Sequence, residues 1–425
     1  MKVLLIHYRY SIIGGPERYL FNIKKLLEEE GHEVIPFSID YIGNQSSVYS
    51  SYFVKPASPE FHIHKISKFS ITAIKTGIDL VYNISAYRNL NKLINDVKPD
   101  TAYILLFSKL SISILKSLKR NNIPIILRIS DFIYFCSRGV LMMNGAICEK
   151  CLGCSFHRIL NKCTNESYLF SAIDYFRRII EKKSGYLKYI DELIIPSIFT
   201  SNFYQKHRYF PNAKITHIPT FFDKNPASAI YNEIDFIHRF SIKTITVFGR
   251  VSKEKGIEIL LQALTQLYNE NLKDLTINII GFTNSEYSIA LKKIIAESET
   301  PNIHCYEFLE ANALNEILER STITVIPSIC YDNMPNSLIE SQAIGLPVIA
   351  SNIGSFPELI TDGYNGYLFG TNNSSDLAGT IKKALMTNKE KYIEMCHNSI
   401  DWANKYCSKE MHYNKLMSVF NNYKK

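Results

Sequence analysis

The sequence predicts an α/β fold of two Rossmann-like domains, each built on a parallel sheet. Short apolar runs alternate with segments of helical periodicity, which is typical of consecutive βα units. The alternation starts at the N-terminus and starts again at residue 244, and a length of 425 residues agrees with two domains. Ligands of open parallel sheets bind beyond the carboxyl ends of the strands, so we expect the two domains to face a central cleft.

The first domain is expected to span residues 1–223. Its first strand is followed by a glycine turn at Gly14-Gly15 and by a helix. Its strands are expected at 3–7, 33–39, 101–107, 123–129 and 192–196. Between 131 and 166 the alternation breaks, which indicates a Cys-rich insertion, and a long helix is expected over 167–190.

The second domain is expected to span residues 224–405. Its strands are expected at 244–248, 275–281, 303–308, 323–327 and 347–350. Residues 406–425 are predicted to form a C-terminal helix that could return to the N-terminal domain.

Composition is that of an ordinary globular protein, with 46% hydrophobic and 21% charged residues. No apolar run approaches the roughly 20 residues that span a bilayer. The N-terminal apolar run soon meets Arg9 and a glycine turn, whereas a secretory signal would continue to a cleavage site. We therefore expect a cytoplasmic protein.

Positive charge is concentrated in the first half of the chain. Residues 1–200 carry 26 Lys and Arg against 17 Asp and Glu, an excess of nine, whereas the remainder is nearly balanced. Such a surface suits an anionic membrane or substrate, and equally a solvated face without a partner. No nucleic-acid motif accompanies the charge. The segment 168–189 mixes aromatic and basic residues, which predicts peripheral docking on the inner face of a membrane unless its apolar stripe packs into the domain.

Two loops carry candidate chemistry. After strand 244–248 the chain runs GRVSKEKG, in which Arg250 and Lys255 can converge on an anion beside a helix N-terminus. After strand 323–327 it runs PSICYDNMPNSLIE, in which Asp332 and Glu340 can face one site and bind sugar hydroxyls. Each loop alone could also be an ordinary surface loop with a capping acid.

Together these segments resemble glycosyltransferase family 4, of the GT-B fold class. The likeness covers nearly the whole chain and includes the Gly14-Gly15 loop and the turn Asp362-Gly363-Tyr364-Asn365-Gly366. The family usually has two Glu residues eight positions apart. Here Asp332 replaces the first of them, so the spacing is kept and the side chain is one methylene shorter.

The resemblance implies a retaining transferase that uses a nucleoside-diphosphate sugar of the UDP or GDP type. The catalytic residues that the resemblance implies are Arg250 and Lys255, which would bind the diphosphate, and Asp332, which would bind the transferred sugar. Glu340 would bind the ribose, and Asn333 and Met334 would donate backbone N–H groups to the donor. Gly14 and Gly15 would form a loop over the diphosphate. No catalytic metal is expected, because fixed cations stabilise the leaving group. The implied acceptor is a glycan or a lipid-linked glycan, and the resemblance implies a role in surface polysaccharide synthesis.

Many relatives place a His before an Asp at the end of a strand in the first domain. Here Ser130 precedes Asp131, so no catalytic His is assigned. Asp131 could contact the sugar or acceptor, or simply cap the strand end.

The insertion contains five cysteines, Cys136, Cys148, Cys151, Cys154 and Cys163. Repeated C-x₂-C spacing predicts a structural zinc held by four of them, with an iron–sulfur cluster or a buried thiol cluster as alternatives. Other functions also stay open, namely a nucleotide-sugar epimerase of GT-B fold, a sugar-nucleotide-binding protein without turnover, and a metal-stapled regulatory or nucleic-acid module.

Overall fold

The computed structural model describes residues 1–56, 71–222, 233–298 and 302–424, with the side chains of the helix that starts at Ile71 described from residue 75 onward. Two compact units result. The first comprises 1–141, 148–218 and 413–425, and the second comprises 142–147 and 219–412. The domain boundary expected at 223 lies outside the described residues.

The first unit is built on a six-stranded parallel sheet. Its strands, in the spatial order β2-β1-β3-β4-β7-β8, are β1 (Lys2–His7), β2 (Glu33–Phe37), β3 (Thr101–Leu106), β4 (Ile125–Arg128), β7 (Glu192–Ile195) and β8 (Lys214–His217). A short antiparallel hairpin, β5 (Met142–Met143) and β6 (Ala146–Ile147), comes between β4 and β7 in the chain. The central strands are mostly apolar and almost wholly buried, as is typical of parallel sheets, and Val3 to Ile6 are fully buried.

The described residues of the first unit form eight α-helices before its last segment. They are α1 (Gly15–Glu29), α2 (Ile71–Val81), α3 (Ile84–Val97), α4 (Ser113–Arg120), α5 (Lys150–Gly153), α6 (His157–Leu160), α7 (Tyr168–Lys183) and α8 (Ile198–His207). Helix α8 begins where the Ser197 side chain accepts a hydrogen bond from the Thr200 N–H. Helix α7 is shorter than the predicted helix over 167–190, because Gly185 adopts the left-handed conformation (φ 73°) that ends it.

The second unit repeats the architecture. Its strands, in the spatial order β11-β10-β9-β12-β13-β14, are β9 (Thr244–Phe248), β10 (Thr276–Ile280), β11 (Ile303–Tyr306), β12 (Ile323–Ile326), β13 (Val348–Ser351) and β14 (Gly366–Phe369), all parallel. The first five lie within two residues of the predicted bounds. The short strand β14 was missed because it directly follows a turn.

The remaining helices surround this sheet or close the chain. They are α9 (Glu233–Ile242), α10 (Ile257–Asn269), α11 (Glu286–Ala296), α12 (Ala311–Glu319), α13 (Asn336–Ala343), α14 (Phe356–Leu359), α15 (Ser374–Leu385), α16 (Lys389–Cys407) and α17 (Lys409–Asn422). Side chains of Ser285, Asn373 and Asn388 cap the N-termini of α11, α15 and α16. No helix in the described part of the chain is both long enough and apolar enough to cross a membrane.

Strand order fixes where a ligand can bind to the second sheet. From β9 the chain moves outward through β10 to β11, and it then returns to place β12 on the other side of β9. The gap between the carboxyl ends of β9 and β12 is therefore the topological switch point, where open α/β sheets bind their ligands.

Candidate functional site

The two loops predicted to carry the chemistry meet at this switch point. Strands β9 and β12 pair in parallel, with Thr324 beside Thr246, so the loops that follow them emerge side by side. The backbone N–H of Ile329 donates to the carbonyl oxygen of Glu254 at 2.9 Å. Gly256 has a φ of 66°, and a methyl group there would lie 1.9 Å from the carbonyl oxygen of Pro327. Glycine is thus required for the close approach of the two loops.

An ion pair joins the loops. The ammonium nitrogen of Lys255 lies 2.8 and 2.9 Å from the two carboxylate oxygens of Asp332. The Ser328 hydroxyl donates to the same carboxylate at 2.7 Å. Burial lowers the pKa of Lys255, but the charge and hydrogen bond of Asp332, together with Cys330 and Glu254, outweigh it, so the net pKa is raised. The Lys255 side chain keeps 28% of its surface exposed, so this protonated amine can be reached by a ligand.

A third loop supports Asp332 from behind. Gly354, which follows β13, has a φ of 61°, and a methyl group there would lie 3.1 Å from the Asp332 carbonyl oxygen. The N–H of Ser355 donates to that oxygen at 3.3 Å. Neither Gly354 nor Ser328 was predicted as a site residue. The only sequence signal was that each closely follows the end of a strand.

Arg250 lies in the same loop as Lys255 but points to a different partner. Its guanidinium lies 2.9 Å from the Glu254 carboxylate, and its side chain is 71% exposed. The expectation that Arg250 and Lys255 converge on one anion stays a prediction. The structure places both cations beside the switch point, each paired with a carboxylate of the chain itself. Asp332 likewise contacts Lys255 in the described conformation.

The predicted site residues that follow Asp332 differ in burial and in which of their atoms could contact a ligand. Asn333 and Met334 are buried, and the Met334 sulfur accepts a hydrogen bond from the Thr220 N–H at 3.2 Å. The Met334 side chain also packs in a core cluster with Leu338. The Met334 side chain therefore stabilises the fold, and only the Met334 backbone could contact a ligand. Glu340 is partly buried in α13.

Comparison with known proteins bears chiefly on the second unit. Residues 233–402 match the family model described as glycosyl transferases group 1. The second unit therefore resembles the group 1 glycosyltransferases over most of its length. The predicted resemblance to glycosyltransferases is confirmed at that level, and the assignment to family 4 stays a prediction.

A curated relative agrees with the resemblance to glycosyltransferases. The lipopolysaccharide 1,2-N-acetylglucosaminetransferase of Salmonella typhimurium is 24% identical over 229 residues, which cover 50% of this chain and 59% of that protein. The chain spans between about a third and three fifths of the lengths of the first curated relatives it matches.

Solved structures resemble the whole chain. Sucrose-phosphate synthase from Thermosynechococcus elongatus is matched with a TM-score of 0.71 at 16% identity, over 99% of this chain and 98% of that chain. HepE from Anabaena, in a complex with UDP-glucose, is matched with a TM-score of 0.62 at 15% identity, over 99% of each chain. These likenesses show the fold, and they confirm the predicted GT-B class of two Rossmann-like units.

The Gly14-Gly15 loop of the first unit is hydrogen-bonded to a carboxylate of the same chain, that of Glu17. Gly14 precedes α1 in an extended conformation, and its N–H donates to the Glu17 carboxylate at 3.1 Å. Arg9 lies 4.0 Å from the same side chain, and both are buried. The role of Gly14 and Gly15 toward a diphosphate remains a prediction.

Asp131 follows β4 in the first unit, directly after Ser130. Its carboxylate accepts a hydrogen bond from the Ile133 N–H at 2.8 Å. This contact agrees with the expectation that Asp131 caps the end of the strand, whereas a contact with the sugar or acceptor stays a prediction. Burial raises the pKa of Asp131 to about 6, although the hydrogen bond from Ile133 and the charge of Arg178 oppose this.

The five cysteines of the insertion differ in exposure. Cys136 is buried, Cys154 is exposed, and the other three are partly buried. Burial raises the pKa of Cys151 to about 11. No group of three or more Cys, His, Asp or Glu side chains in the described chain is arranged to hold a metal ion. Zinc stays a prediction from the sequence, and elemental analysis of protein purified without added metal would measure it directly.

Helix α7 is oriented differently from what its composition suggested. Arg177 and Arg178 are two of the basic residues in the segment 168–189, which was expected to dock on a membrane, but they are only 6% and 3% exposed and form ion pairs with buried acids. Its exposed face instead carries large apolar side chains. These are Tyr168, Leu169, Phe176 and Ile180, between 43% and 59% exposed. The expectation for the two arginines is wrong, because buried Asp174 and Glu181 turn them inward.

Proposed function

We propose that this chain is a glycosyltransferase that moves a sugar from a nucleoside-diphosphate sugar to a glycan or lipid-linked acceptor in surface polysaccharide synthesis. The observation that carries the proposal is the Lys255–Asp332 pair at the switch point of the second unit, which resembles the group 1 glycosyltransferases. Two comparisons support it, since HepE was crystallised with UDP-glucose and the Salmonella relative is a lipopolysaccharide glycosyltransferase.

The charges at the site suit departure of a diphosphate. Cleavage of a glycosyl–phosphate bond places negative charge on the leaving group, and fixed cations that stabilise this charge lower the barrier. When a donor binds, Lys255 and Arg250 would exchange their carboxylate partners for phosphate oxygens. Asp332 would then be available to accept hydrogen bonds from hydroxyls of the transferred sugar, and Glu340 would accept them from the ribose.

Two fixed cations also supply the positive charge for which other transferases need a divalent metal. We therefore propose a reaction that requires no catalytic metal, and one in which the anomeric configuration of the sugar is retained. Activity that persists after treatment with a strong chelator is the expected result. Nuclear magnetic resonance of the product would establish whether the new linkage keeps the donor's configuration.

Product analysis separates transfer from the competing chemistry. Incubation with a nucleotide-sugar should release nucleoside diphosphate and glycosylate an added acceptor. An epimerase of the same fold would instead alter or cleave the donor with no acceptor present. A protein that only binds the donor would leave it unchanged.

We further propose that the acceptor is reached at a membrane surface through the exposed face of α7. Its apolar side chains lie beside the exposed lysines Lys162, Lys182 and Lys183. Apolar side chains flanked by lysines suit an anionic lipid surface. In a symmetric contact with a second copy, the same lysines would meet and repel one another.

Vesicle co-sedimentation tests the membrane surface. Phe176→Asp should weaken binding to anionic vesicles severalfold, whereas Ile289→Asp, at a similarly exposed apolar position in the second unit, should not. Some binding should persist at high salt, because apolar contacts are not screened. Equal behaviour of the two variants, or no binding by the unmodified protein, would favour a soluble acceptor.

A further inference from the structure

The loop after β12 contains a hydrogen bond between a buried hydroxyl and the carboxylate at the switch point. The Ser328 hydroxyl donates to Oδ2 of Asp332 at 2.7 Å. Ser328 is fully buried, whereas the Asp332 side chain keeps 16% of its surface exposed. A ligand at the switch point can therefore contact Asp332 but not Ser328, so any effect of Ser328 on that ligand is transmitted by the carboxylate.

The backbone on which these two side chains stand is fixed by neighbouring loops. The N–H of Ile329, next to Ser328, donates to the Glu254 carbonyl oxygen at 2.9 Å. The carbonyl oxygen of Asp332 accepts a hydrogen bond from the Ser355 N–H at 3.3 Å. With the backbone held at both ends of this segment, the main freedom left to Asp332 is rotation about its two side-chain torsions. The Ser328 hydroxyl restrains that rotation.

The two oxygens of the Asp332 carboxylate have different partners. Oδ1 accepts a hydrogen bond from the Lys255 ammonium at 2.8 Å, and Oδ2 accepts from Lys255 at 2.9 Å and from Ser328 at 2.7 Å. A diphosphate that draws Lys255 away would remove a donor from both oxygens. The hydrogen bond from Ser328 to Oδ2 would persist, because a fully buried hydroxyl is not reached by the ligand. Oδ1 would then be the oxygen that is offered to a sugar hydroxyl.

We infer that Ser328 is a positioning residue for the transferred sugar: it holds the Asp332 carboxylate so that Oδ1 faces the sugar once the diphosphate has engaged Lys255. This inference rests on the proposed function, in which Asp332 contacts the sugar. A binding group must be held to within about 0.5 Å by its neighbours to be effective. A hydroxyl bonded to a carboxylate is a strong, charge-assisted contact that supplies such a restraint. If Ser328 only stabilised the loop, every ligand of the site would be affected equally.

Calorimetric titration of Ser328→Ala separates these two roles. The probe is the tightest-binding member of a panel of UDP- and GDP-sugars, and the reference is its free nucleoside diphosphate. Ser328→Ala should weaken binding of the nucleotide-sugar about tenfold, the effect of losing one hydrogen bond to a charged group, and should leave binding of the free nucleoside diphosphate unchanged. Ser399→Ala, which removes a fully buried hydroxyl of α16 in the same unit, is the matched control and should alter neither affinity.

A double variant shows whether Ser328 acts through Asp332. Once Asp332→Ala has removed the carboxylate, adding Ser328→Ala should cause no further loss of affinity for the nucleotide-sugar. The inference is overturned if Ser328→Ala weakens both ligands equally, leaves both unchanged, or adds its full loss to that of Asp332→Ala. Failure of the proposed function has a different signature: no member of the panel binds the unmodified protein, or Asp332→Ala weakens both ligands equally, and the inference then fails with it.

Discussion

Two clusters of charged side chains differ in what surrounds them. On the buried face of α7 in the first unit, Asp174 and the three arginines that pair with it are nearly inaccessible, with side chains 3–11% exposed. At the switch point of the second unit, the Lys255–Asp332 pair is 28% and 16% exposed. A buried network has fixed partners and holds the fold together, whereas a partly exposed pair can exchange its partner for a ligand. Charge alone therefore does not mark a catalytic site, and accessibility separates the two kinds of cluster.

The largest effect is expected where the charges are buried. Asp174→Asn should lower the free energy of unfolding by about 3–5 kcal/mol, because three guanidinium groups lose a shared partner. Glu29→Gln, which removes an exposed ion pair of α1 with Lys25, should change it by less than about 1 kcal/mol. Urea unfolding measures both values. Equal losses would contradict the distinction between buried and exposed pairs.

The pH dependence of the same variant sharpens this prediction. Burial raises the pKa of Asp174, but the charges of Arg177, Arg178 and Arg158 outweigh it and hold the pKa well below its usual 3.8. A carboxyl group with a lowered folded pKa stabilises the fold above its unfolded pKa and loses that contribution as the pH falls. The difference between the unmodified protein and Asp174→Asn should therefore shrink below pH 3.8.

The next effect is on turnover rather than on stability. Lys255→Ala and Arg250→Ala should each lower turnover by about 10²-fold with the fold intact, because each removes one cation from the developing charge. Lys253→Ala, an exposed lysine of the same loop, is the control. Steady-state kinetics with circular dichroism measures both quantities. Near-normal turnover in both variants would remove these residues from the mechanism.

The smallest effect distinguishes the two acids. Glu340→Gln should weaken binding of the donor and of free nucleoside diphosphate about equally, roughly tenfold, because both ligands contain the ribose. Asp332→Asn should weaken mainly the sugar-bearing donor. Calorimetric titration of each variant with both ligands provides the comparison. If Asp332→Asn weakens both ligands alike, Asp332 does not contact the sugar.

The sequence predicted the repeating βα architecture well, because buried parallel strands are uniform apolar runs bounded by turns. It also predicted that Lys255 and Asp332 belong to one site, since both follow strands that pair in the same sheet. It did not predict that the two side chains form an ion pair, which depends on Gly256 and Gly354 drawing three loops together. The orientation of α7 was also missed, because composition does not reveal that Asp174 and Glu181 are buried partners of its arginines.

A thermal-shift screen of nucleoside-diphosphate sugars tests the central claim most directly. The account predicts that at least one UDP- or GDP-sugar raises Tm of the unmodified protein, and that the rise is largely lost in Lys255→Ala but kept in Lys253→Ala. If no such sugar shifts Tm, or if the shift is unchanged in Lys255→Ala, the switch point of the second unit is not the donor site.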